Sequence, residues 1–128
     1  MSNTMTLRHI NLPVRDLDEA LRFYQNVLGF KYVKHLSPKK IVLEFNGFDF
    51  FLEHDPDSRI SQYFHFGFKT THEQLLEWAD MLTRNGITIM QRVQTYGLIP
   101  TPPPLQEDVA RFYFRDPDGW LMEVYDEV

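Results

Sequence analysis

Residues 9–30 read HINLPVRDLDEALRFYQNVLGF, and the spacing of the apolar residues changes along this stretch. The first six residues alternate, which predicts a strand with its apolar residues on one face and His9 and Asn11 on the other. Beyond Asp16, which suits a helix N-cap, the apolar residues follow helical spacing as far as Gly29. The stretch therefore predicts a strand followed by a helix.

Three further strands are predicted after this helix, over residues 30–36, 40–45 and 48–54. Asn46-Gly47 separates the last two strands and is a strong signal for a two-residue hairpin turn. The polar, turn-rich segment 54–61 is then expected to be a connection. The first half of the chain is thus predicted as one strand–helix–strand–strand–strand module.

The second half repeats this order, beginning with the stretch QYFHFGF at residues 62–68. Alternation predicts a strand that buries its three phenylalanines on one face and presents His65 on the other. Thr71 is the expected N-cap of a helix that ends at Gly86. Strands are then predicted near residues 87–94, 108–115 and 119–126.

The two halves also match in length. His9 precedes Gly29 by 20 residues, and His65 precedes Gly86 by 21. The end of the second half is longer because it contains YGLIPTPPPLQED at residues 96–108, whose prolines predict a loop rather than a regular strand. Matching lengths on both sides of one insertion indicate an internal repeat.

Length and composition agree with one folded domain. The chain has 128 residues, of which 43% are hydrophobic, and this is enough to bury a sizeable core. We expect a single domain, residues 1–128, with an α+β fold. Its two βαβββ modules, about residues 5–57 and 61–128, would form a curled mixed sheet.

Composition also narrows the class of function. The net charge of −5 and the lack of a basic stripe argue against a nucleic-acid partner. The chain has no cysteine, which excludes disulfides and thiolate ligands. No apolar stretch is long enough to cross a bilayer, and the first residues lack the apolar core of a signal peptide, so a cytoplasmic location is expected.

Four ionisable side chains stand on strand faces that oppose the apolar ones. They are His9 and Glu53 in the first half, and His65 and Glu123 in the second. Each half supplies one histidine and one glutamate, and imidazole nitrogens with carboxylate oxygens suit a divalent ion such as Ni, Zn, Fe, Mn or Co. Taken singly, each of these residues would be an ordinary strand residue, but the matched positions predict one shared metal site. The remaining histidines are expected to be surface residues: His35, His54 and His72.

Four segments give the chain a resemblance to a known family over nearly its whole length. They are HINLPVRDLDEALRFYQNVLGF at 9–30, FFLEHD at 50–55, YFHFGF at 63–68 and FYFRDPDGWLMEVYD at 112–126. The chain resembles the vicinal oxygen chelate superfamily, which holds glyoxalase I, fosfomycin-resistance thiol transferases, extradiol dioxygenases and bleomycin-resistance proteins. The resemblance implies a metal cleft formed by two βαβββ modules. The ligand set that it implies is His9, Glu53, His65 and Glu123, which is closest to the four-ligand pattern of bacterial glyoxalase I.

By this resemblance, the activity expected first is a lyase activity of the lactoylglutathione type. One divalent ion would bind the hemithioacetal of a 2-oxoaldehyde and a thiol cosubstrate, and a proton would move through a metal-bound enediolate. Glu123 is the first candidate base and Glu53 the second. Tyr113, Arg111 and Asn11 are expected to contact the substrate, although a surface ion pair is an equally good interpretation of Arg111.

Other members of the family leave other functions open. They include thiol transfer to an epoxide antibiotic such as fosfomycin, a small extradiol dioxygenase and a non-catalytic protein that binds a drug or metabolite. The partner expected in every case is a small molecule, with no nucleic acid and no membrane. The family also implies a homodimer, with or without exchange of modules between the two chains.

Overall fold

The structure, a computed structural model, describes residues 4–61, 63–93 and 97–127. Residue 94, at the end of one predicted strand, and residue 96, at the start of the Pro-rich segment, lie outside the described residues. The chain divides into two compact units, Met1–Arg59 and Ile60–Val128, and each contains one mixed sheet. The predicted α+β fold of two βαβββ modules is confirmed. Within the described residues, no helix is long and apolar enough to span a bilayer.

The first unit has the predicted order of elements. They are β1 (His9–Val14), α1 (Leu17–Arg22), β2 (Lys31–Ser37), β3 (Lys40–Phe45) and β4 (Phe48–His54). The order of strands in the sheet is β1-β4-β3-β2, with β1 parallel to β4 and the other neighbours antiparallel. This topology places the first and last strands of the unit side by side.

Local signals explain where the elements of the first unit begin and end. The backbone N–H of Glu19 donates to Asp16 Oδ1 at 3.0 Å, as expected of an N-cap. The helix continues as a π-helical turn over Phe23–Val27 and ends before Gly29, whose φ is +79°. At the turn between β3 and β4, Asn46 and Gly47 both have positive φ, which is the backbone that a two-residue hairpin of this type requires.

The second unit has the same order with one additional strand. Its elements are β5 (His65–Lys69), α2 (His72–Arg84), β6 (Met90–Val93), β7 (Gly97–Pro100), β8 (Arg111–Arg115) and β9 (Leu121–Tyr125). The strand order is β5-β9-β8-β6-β7, and β5 is parallel to β9. Thr71 caps α2 by accepting from the backbone N–H of Gln74 at 3.2 Å. Here too, the first and last strands of the unit are neighbours.

The prediction that the whole Pro-rich segment is a loop is wrong for residues 97–100. These residues form β7, which pairs antiparallel with β6. The strand is compatible with its proline for two reasons. It lies at the edge of the sheet, and Pro100 is its last residue, so the missing N–H does not interrupt the ladder. The prolines that follow lie outside the strand.

The apolar faces of the strands form the core of each unit, as the alternation predicts. In the first unit Leu12, Phe50 and Leu52 are buried together with Ala20 of α1. In the second unit the buried residues include three of α2 and both faces of β8 and β9: Leu75, Ala79, Leu82, Phe112, Tyr113, Phe114, Leu121, Met122, Glu123 and Val124. Both faces of these two strands are therefore covered, which makes a charged residue among them unusual.

The prediction that β5 buries three phenylalanines holds only in part. Phe66 and Phe68 are half-buried, whereas Phe64 precedes the strand and is 44% exposed. The ring of Phe64 meets that of Trp120 edge-on, with centroids 5.4 Å apart. The apolar side of β5 is thus partly covered by aromatic contacts, and His65 occupies the opposite side of the strand.

Candidate metal centre

The candidate site of the second unit lies on the side of the sheet that His65 and Glu123 share. Gly67 on β5 is the register partner of Glu123 on β9, and His65 lies two residues before Gly67, so its side chain points to the same side. His65 Nε2 lies 3.5 Å from Glu123 Oε1. The two ligands predicted for the second half are therefore brought together.

The other ring nitrogen of His65 determines how the imidazole can act. His65 Nδ1 lies 3.2 Å from the carbonyl oxygen of Tyr63, which can only accept a hydrogen bond. This contact favours the form of the ring with the proton on Nδ1, and an imidazole in that form that binds an ion would do so through Nε2, the nitrogen that faces Glu123. Histidines that bind metals are commonly oriented by this kind of hydrogen bond to a backbone carbonyl.

Glu123 is a buried carboxylate, with only 8% of its surface exposed. Such a group needs partners because burial removes its hydration. Arg111 supplies one, since its Nη1 donates to Glu123 Oε2 at 2.9 Å while its Nη2 donates to the carbonyl of Glu127. Arg111 thus binds one oxygen of the carboxylate, and the other oxygen, Oε1, faces His65.

The geometry of this pair fits a divalent ion. Two ligand atoms that each bind one ion at about 2.1 Å lie about 3.0–3.4 Å apart, depending on the coordination angle. The 3.5 Å between His65 Nε2 and Glu123 Oε1 is close to that separation. It is also longer than a strong hydrogen bond between charged groups. An imidazole nitrogen and a carboxylate oxygen suit Mn, Fe, Co, Ni or Zn.

In the first unit, His9 lies beside an aromatic ring rather than a carboxylate. The rings of His9 and Phe51 stack with centroids 4.3 Å apart and planes inclined by 10°. The residue two positions after His9 is Asn11, and its register partner is Phe51. Phe51 therefore has the same relation to His9 that Glu123 has to His65.

Glu53 lies two residues beyond Phe51 and has other partners. Its Oε1 accepts a hydrogen bond from Asn11 Nδ2 at 3.1 Å and lies 3.9 Å from Lys40 Nζ. The register partner of His9 is four residues before Glu53, which is about 13 Å of strand. By register, the residue of the first unit that is equivalent to Glu123 is therefore Phe51, and Glu53 lies two residues further along the strand.

In the described part of the chain, no group of three or more His, Asp or Glu side chains is assembled that could hold an ion. The described site consists of the His65–Glu123 pair, with Arg111 bound to the far oxygen of the carboxylate. One imidazole and one carboxylate are too few ligands for a closed metal site. A complete site would need at least one further ligand.

The residues expected to contact a substrate have different surroundings. Arg111 and Asn11 are each hydrogen-bonded to a predicted ligand carboxylate, Glu123 and Glu53 respectively. Tyr113 is the register partner of Glu123 and is buried, with its ring edge-on to that of His65 at a centroid distance of 6.2 Å. Tyr113 therefore forms an aromatic wall beside the pair, while the other two side chains orient carboxylates.

Arg92 is a residue of this surface that the sequence did not single out. Its guanidinium carbon lies 5.3 Å from the centroid of the Tyr113 ring. Alternation within β6 could have assigned Arg92 to one side of its strand. One neighbour of that strand is β8, which begins 18 residues after β6 ends, and a local pattern does not reveal this pairing.

His72 is exposed, as predicted for a surface residue, and it also has two polar partners. Its Nδ1 lies 2.7 Å from Asp126 Oδ2, and its Nε2 meets the carbonyl oxygen of Glu107. The hydrogen bond with the Asp126 carboxylate, and then that with the Glu107 carbonyl, raise the pKa of His72 above its ordinary value of 6.5. These partners are 54 and 35 residues away in the chain, so no local pattern could have indicated them.

Two comparisons of sequence find proteins that resemble this chain. A family model described as Glyoxalase/Bleomycin resistance protein/Dioxygenase superfamily matches residues 6–124. A probable trivalent organoarsenical cleaving enzyme of Bacillus subtilis (strain 168) is 29% identical over 113 residues, which cover 87% of this chain and 73% of that relative.

Solved structures with the same fold include a possible glyoxalase from Bacillus cereus, with a TM-score of 0.74 and 24% identity over 95% of this chain and 99% of that one. They also include the fosfomycin resistance protein FosX from Listeria monocytogenes in complex with Mn(II) and sulfate. For FosX the TM-score is 0.72 and the identity 20%, over 99% of this chain and 93% of that one. At these identities the likeness is one of fold.

Proposed function

Since this chain belongs to the Glyoxalase/Bleomycin resistance protein/Dioxygenase superfamily, we propose that it is a divalent-metal-dependent enzyme that acts on a small oxygenated substrate. The proposed ligands are His9, His65 and Glu123. The observation that carries the proposal is the 3.5 Å between His65 Nε2 and Glu123 Oε1, with the imidazole oriented by the carbonyl of Tyr63.

His9 is included in the proposed ligand set because it is the first residue of β1, as His65 is the first residue of β5. Glu53, the fourth predicted ligand, is left out because its carboxylate is engaged with Asn11 and Lys40. Its role as a ligand stays a prediction.

The side chains of the second unit support binding and orientation. A divalent ion held there would polarise a substrate oxygen and stabilise the negative charge that develops on it. Glu123 is bound at Oε2 by Arg111, so a movement of the carboxylate to collect a proton would break that ion pair. Arg111 thus restrains the Glu123 carboxylate beside His65, which supports its proposed role as a ligand, and Tyr113 limits the space beside His65.

We therefore favour a reaction that needs no base on the protein. In such a reaction a second substrate supplies the nucleophile, as in the opening of a small anionic epoxide. A thiol or water forms a bond to carbon, the carbon–oxygen bond breaks, and the proton of the nucleophile passes to the released oxygen. Several cationic residues occupy the same side of the sheet as Glu123 and favour an anionic substrate. They are Lys69, Arg92, Arg111 and Arg115.

Isomerisation of a hemithioacetal, the reaction of lactoylglutathione lyases, is the second candidate. One observation favours it, because the side chain of Glu53 is 47% exposed and lies on the same side of β4 as Phe51. A carboxylate outside the proposed ligand set can act as a general base without leaving the ion, once it gives up its contacts with Asn11 and Lys40. Methylglyoxal with a thiol is the substrate pair that tests this candidate.

Cleavage of a trivalent organoarsenical, the activity in the name of the Bacillus subtilis relative, is not proposed for this chain. Soft centres of this kind are held by thiolates, as soft metal ions are. The chain contains no cysteine. Its nitrogen and oxygen donors suit harder divalent ions instead.

We further propose that two copies pair as a homodimer through β2. This strand is at the edge of the first sheet, and all seven of its residues are exposed. Three of them are the apolar Tyr32, Val33 and Leu36, which favour cover by a second strand. Light scattering after size exclusion should give twice the chain mass of 15.3 kDa, and Val33→Lys should shift it towards the monomer.

Metal analysis followed by a substrate panel tests the proposed activity. Protein stripped with a chelator and reloaded with Mn(II) should retain about one ion per site after desalting. His9→Ala, His65→Ala and Glu123→Gln should each lose it, whereas His54→Ala, at the end of β4 and outside the proposed ligand set, should retain it. Loaded protein is then assayed with fosfomycin and thiols or water, methylglyoxal and thiols, and catechols.

Equal metal content in wild type and His65→Ala would contradict the proposed site. If the protein binds a panel ligand with the same affinity with and without metal and turns over none, it is a binding protein and the enzymatic proposal fails. If methylglyoxal with a thiol is the only pair consumed, the second candidate replaces the first.

A further inference from the structure

Arg92 lies on the same side of the second sheet as Glu123. Met90 on β6 is the register partner of Tyr113 on β8, and Tyr113 is in turn the partner of Glu123 on β9. Arg92 is two residues after Met90, so its side chain leaves the strand on the same side. The cation–π contact with the Tyr113 ring, at 5.3 Å from the centroid, agrees with this placement.

Tyr113 connects Arg92 to the candidate metal centre. One neighbour of its ring is the guanidinium of Arg92, and another is the imidazole of His65 at 6.2 Å. Tyr113 is 5% exposed, so its ring is a fixed support rather than a mobile surface group. A guanidinium held against such a ring has lost part of its rotational freedom and keeps its N–H groups at its edges.

The other guanidiniums on this side of the sheet already have oxygen partners. Arg111 binds the Glu123 carboxylate and the carbonyl of Glu127, and Arg115 Nη1 donates to the carbonyl of Gly119 at 2.8 Å. Among the residues that the structure describes, Arg92 has no carboxylate within ion-pair distance and no hydrogen bond to an oxygen. Its N–H groups are therefore available to a ligand.

We propose that Arg92 is the residue that binds the anionic group of the substrate, a phosphonate or a carboxylate. The inference rests on the proposed function and adds to it the residue that selects the substrate class. Phosphonates and carboxylates both match the two-pronged edge of a guanidinium. An anion bound there would also reduce the repulsion between Arg92 and Arg111, since Glu123 is the one carboxylate that faces them on these three strands.

Direct binding of small anions tests the role of Arg92 separately from turnover. Methylphosphonate and acetate are titrated calorimetrically into Mn(II)-loaded and metal-free protein. Arg92→Gln is expected to weaken binding of the preferred anion by about 10- to 100-fold, which corresponds to the loss of hydrogen bonds to a charged group. Arg92→Lys keeps the positive charge but cannot donate two parallel hydrogen bonds to one anion, so its loss of anion affinity should be intermediate.

Arg84→Gln is the matched control. Arg84 is an exposed arginine of α2 that pairs with Asp80, and its replacement should leave anion binding unchanged. Arg92→Gln should retain the Mn(II) content and the circular dichroism of the wild type. With an anionic epoxide as substrate, the variant should raise KM far more than it lowers kcat.

The inference is overturned if Arg92→Gln binds both anions as the wild type does, or if the wild type binds neither. Failure of the proposed function has a different signature, which is a wild type that retains no Mn(II). In that case the metal-free titrations still report whether Arg92 binds anions. A preference for methylphosphonate over acetate would assign the substrate to the phosphonates.

Discussion

His72 Nδ1 lies 2.7 Å from Asp126 Oδ2, and this contact joins the first residue of α2 to the segment after β9. The second ring nitrogen of His72 meets the carbonyl oxygen of Glu107 in the Pro-rich segment. Both partners accept hydrogen bonds, so the arrangement favours the charged imidazolium, in which both ring nitrogens donate. Asp126 Oδ1 is buried without a hydrogen-bond partner in the described residues. A positive charge on His72 therefore offsets part of the cost of burying the Asp126 carboxylate.

We expect His72 to stabilise the fold in a pH-dependent way. Its pKa in the folded protein is raised above 6.5, chiefly by the carboxylate of Asp126 and then by the carbonyl of Glu107. Its contribution is therefore fully present below pH 6.5 and is lost as the pH rises through the folded-state pKa. The Tm difference between wild type and His72→Gln should be larger at about pH 5.5 than at about pH 9.

Asp126→Asn provides the matched partner for this measurement. In a double-mutant cycle, the coupling between His72→Gln and Asp126→Asn should be favourable in acid and should decline in alkali. A coupling that stays constant from acid to alkali would mean that the contact is a neutral hydrogen bond, contrary to this assignment.

The two glutamates predicted as ligands should differ in their effect on metal retention. Glu123→Gln removes an oxygen that lies 3.5 Å from His65 Nε2, and the affinity for Mn(II) should fall at least about tenfold. Glu53→Gln should change it by less than about threefold, because Glu53 is held by Asn11 and Lys40. Equilibrium dialysis against a metal buffer measures both. Equal losses in the two variants would restore the four-ligand set.

Removal of Arg111 should destabilise the second unit. Arg111→Met leaves the buried carboxylate of Glu123 without its cationic partner, and the free energy of unfolding should decrease by about 1–3 kcal/mol. Urea denaturation of metal-free protein measures the change. In a protein that already carries Glu123→Gln, Arg111→Met should lower the free energy of unfolding by less than it does in the wild type. Additive losses would show that the pair contributes no coupling.

Gly67 allows the ring of Tyr125 to lie against β5. A Cβ added at Gly67 would be 2.9 Å from Tyr125 Cε1, closer than van der Waals contact allows. Gly67→Ala should therefore lower the free energy of unfolding by about 1–3 kcal/mol, unless the ring can move. Tyr125→Val in the same chain should recover most of that loss. If Gly67→Ala has the stability of the wild type, the ring moves at no cost.

Most of the fold could be predicted from local signals. The caps at Asp16 and Thr71 and the turn at Asn46-Gly47 are confirmed, and each depends on residues within three positions. β7 could not be predicted in this way. A count of prolines does not reveal that a short strand lies at a sheet edge, where a terminal proline is tolerated.

For the candidate site, period-two alternation predicts the side of each strand, and in the second unit His65 and Glu123 lie on one side of the sheet. Phe51 and Glu53 are two residues apart on β4, so period-two alternation assigns both to one side. Only the register with β1 distinguishes them, and it gives Phe51 the place beside His9. The contacts of Arg92 and His72 also depend on pairing between distant segments, which a single sequence does not specify.

The presence of Phe51 at this position has an electrostatic consequence. In the proposed ligand set of His9, His65 and Glu123, two neutral imidazoles and one carboxylate would leave a divalent ion with one uncompensated positive charge, because Phe51 rather than a second carboxylate lies beside His9. A loaded centre of this composition attracts anions over several ångströms, and added salt weakens that attraction. Association of an anionic substrate with the proposed centre should therefore slow as ionic strength rises.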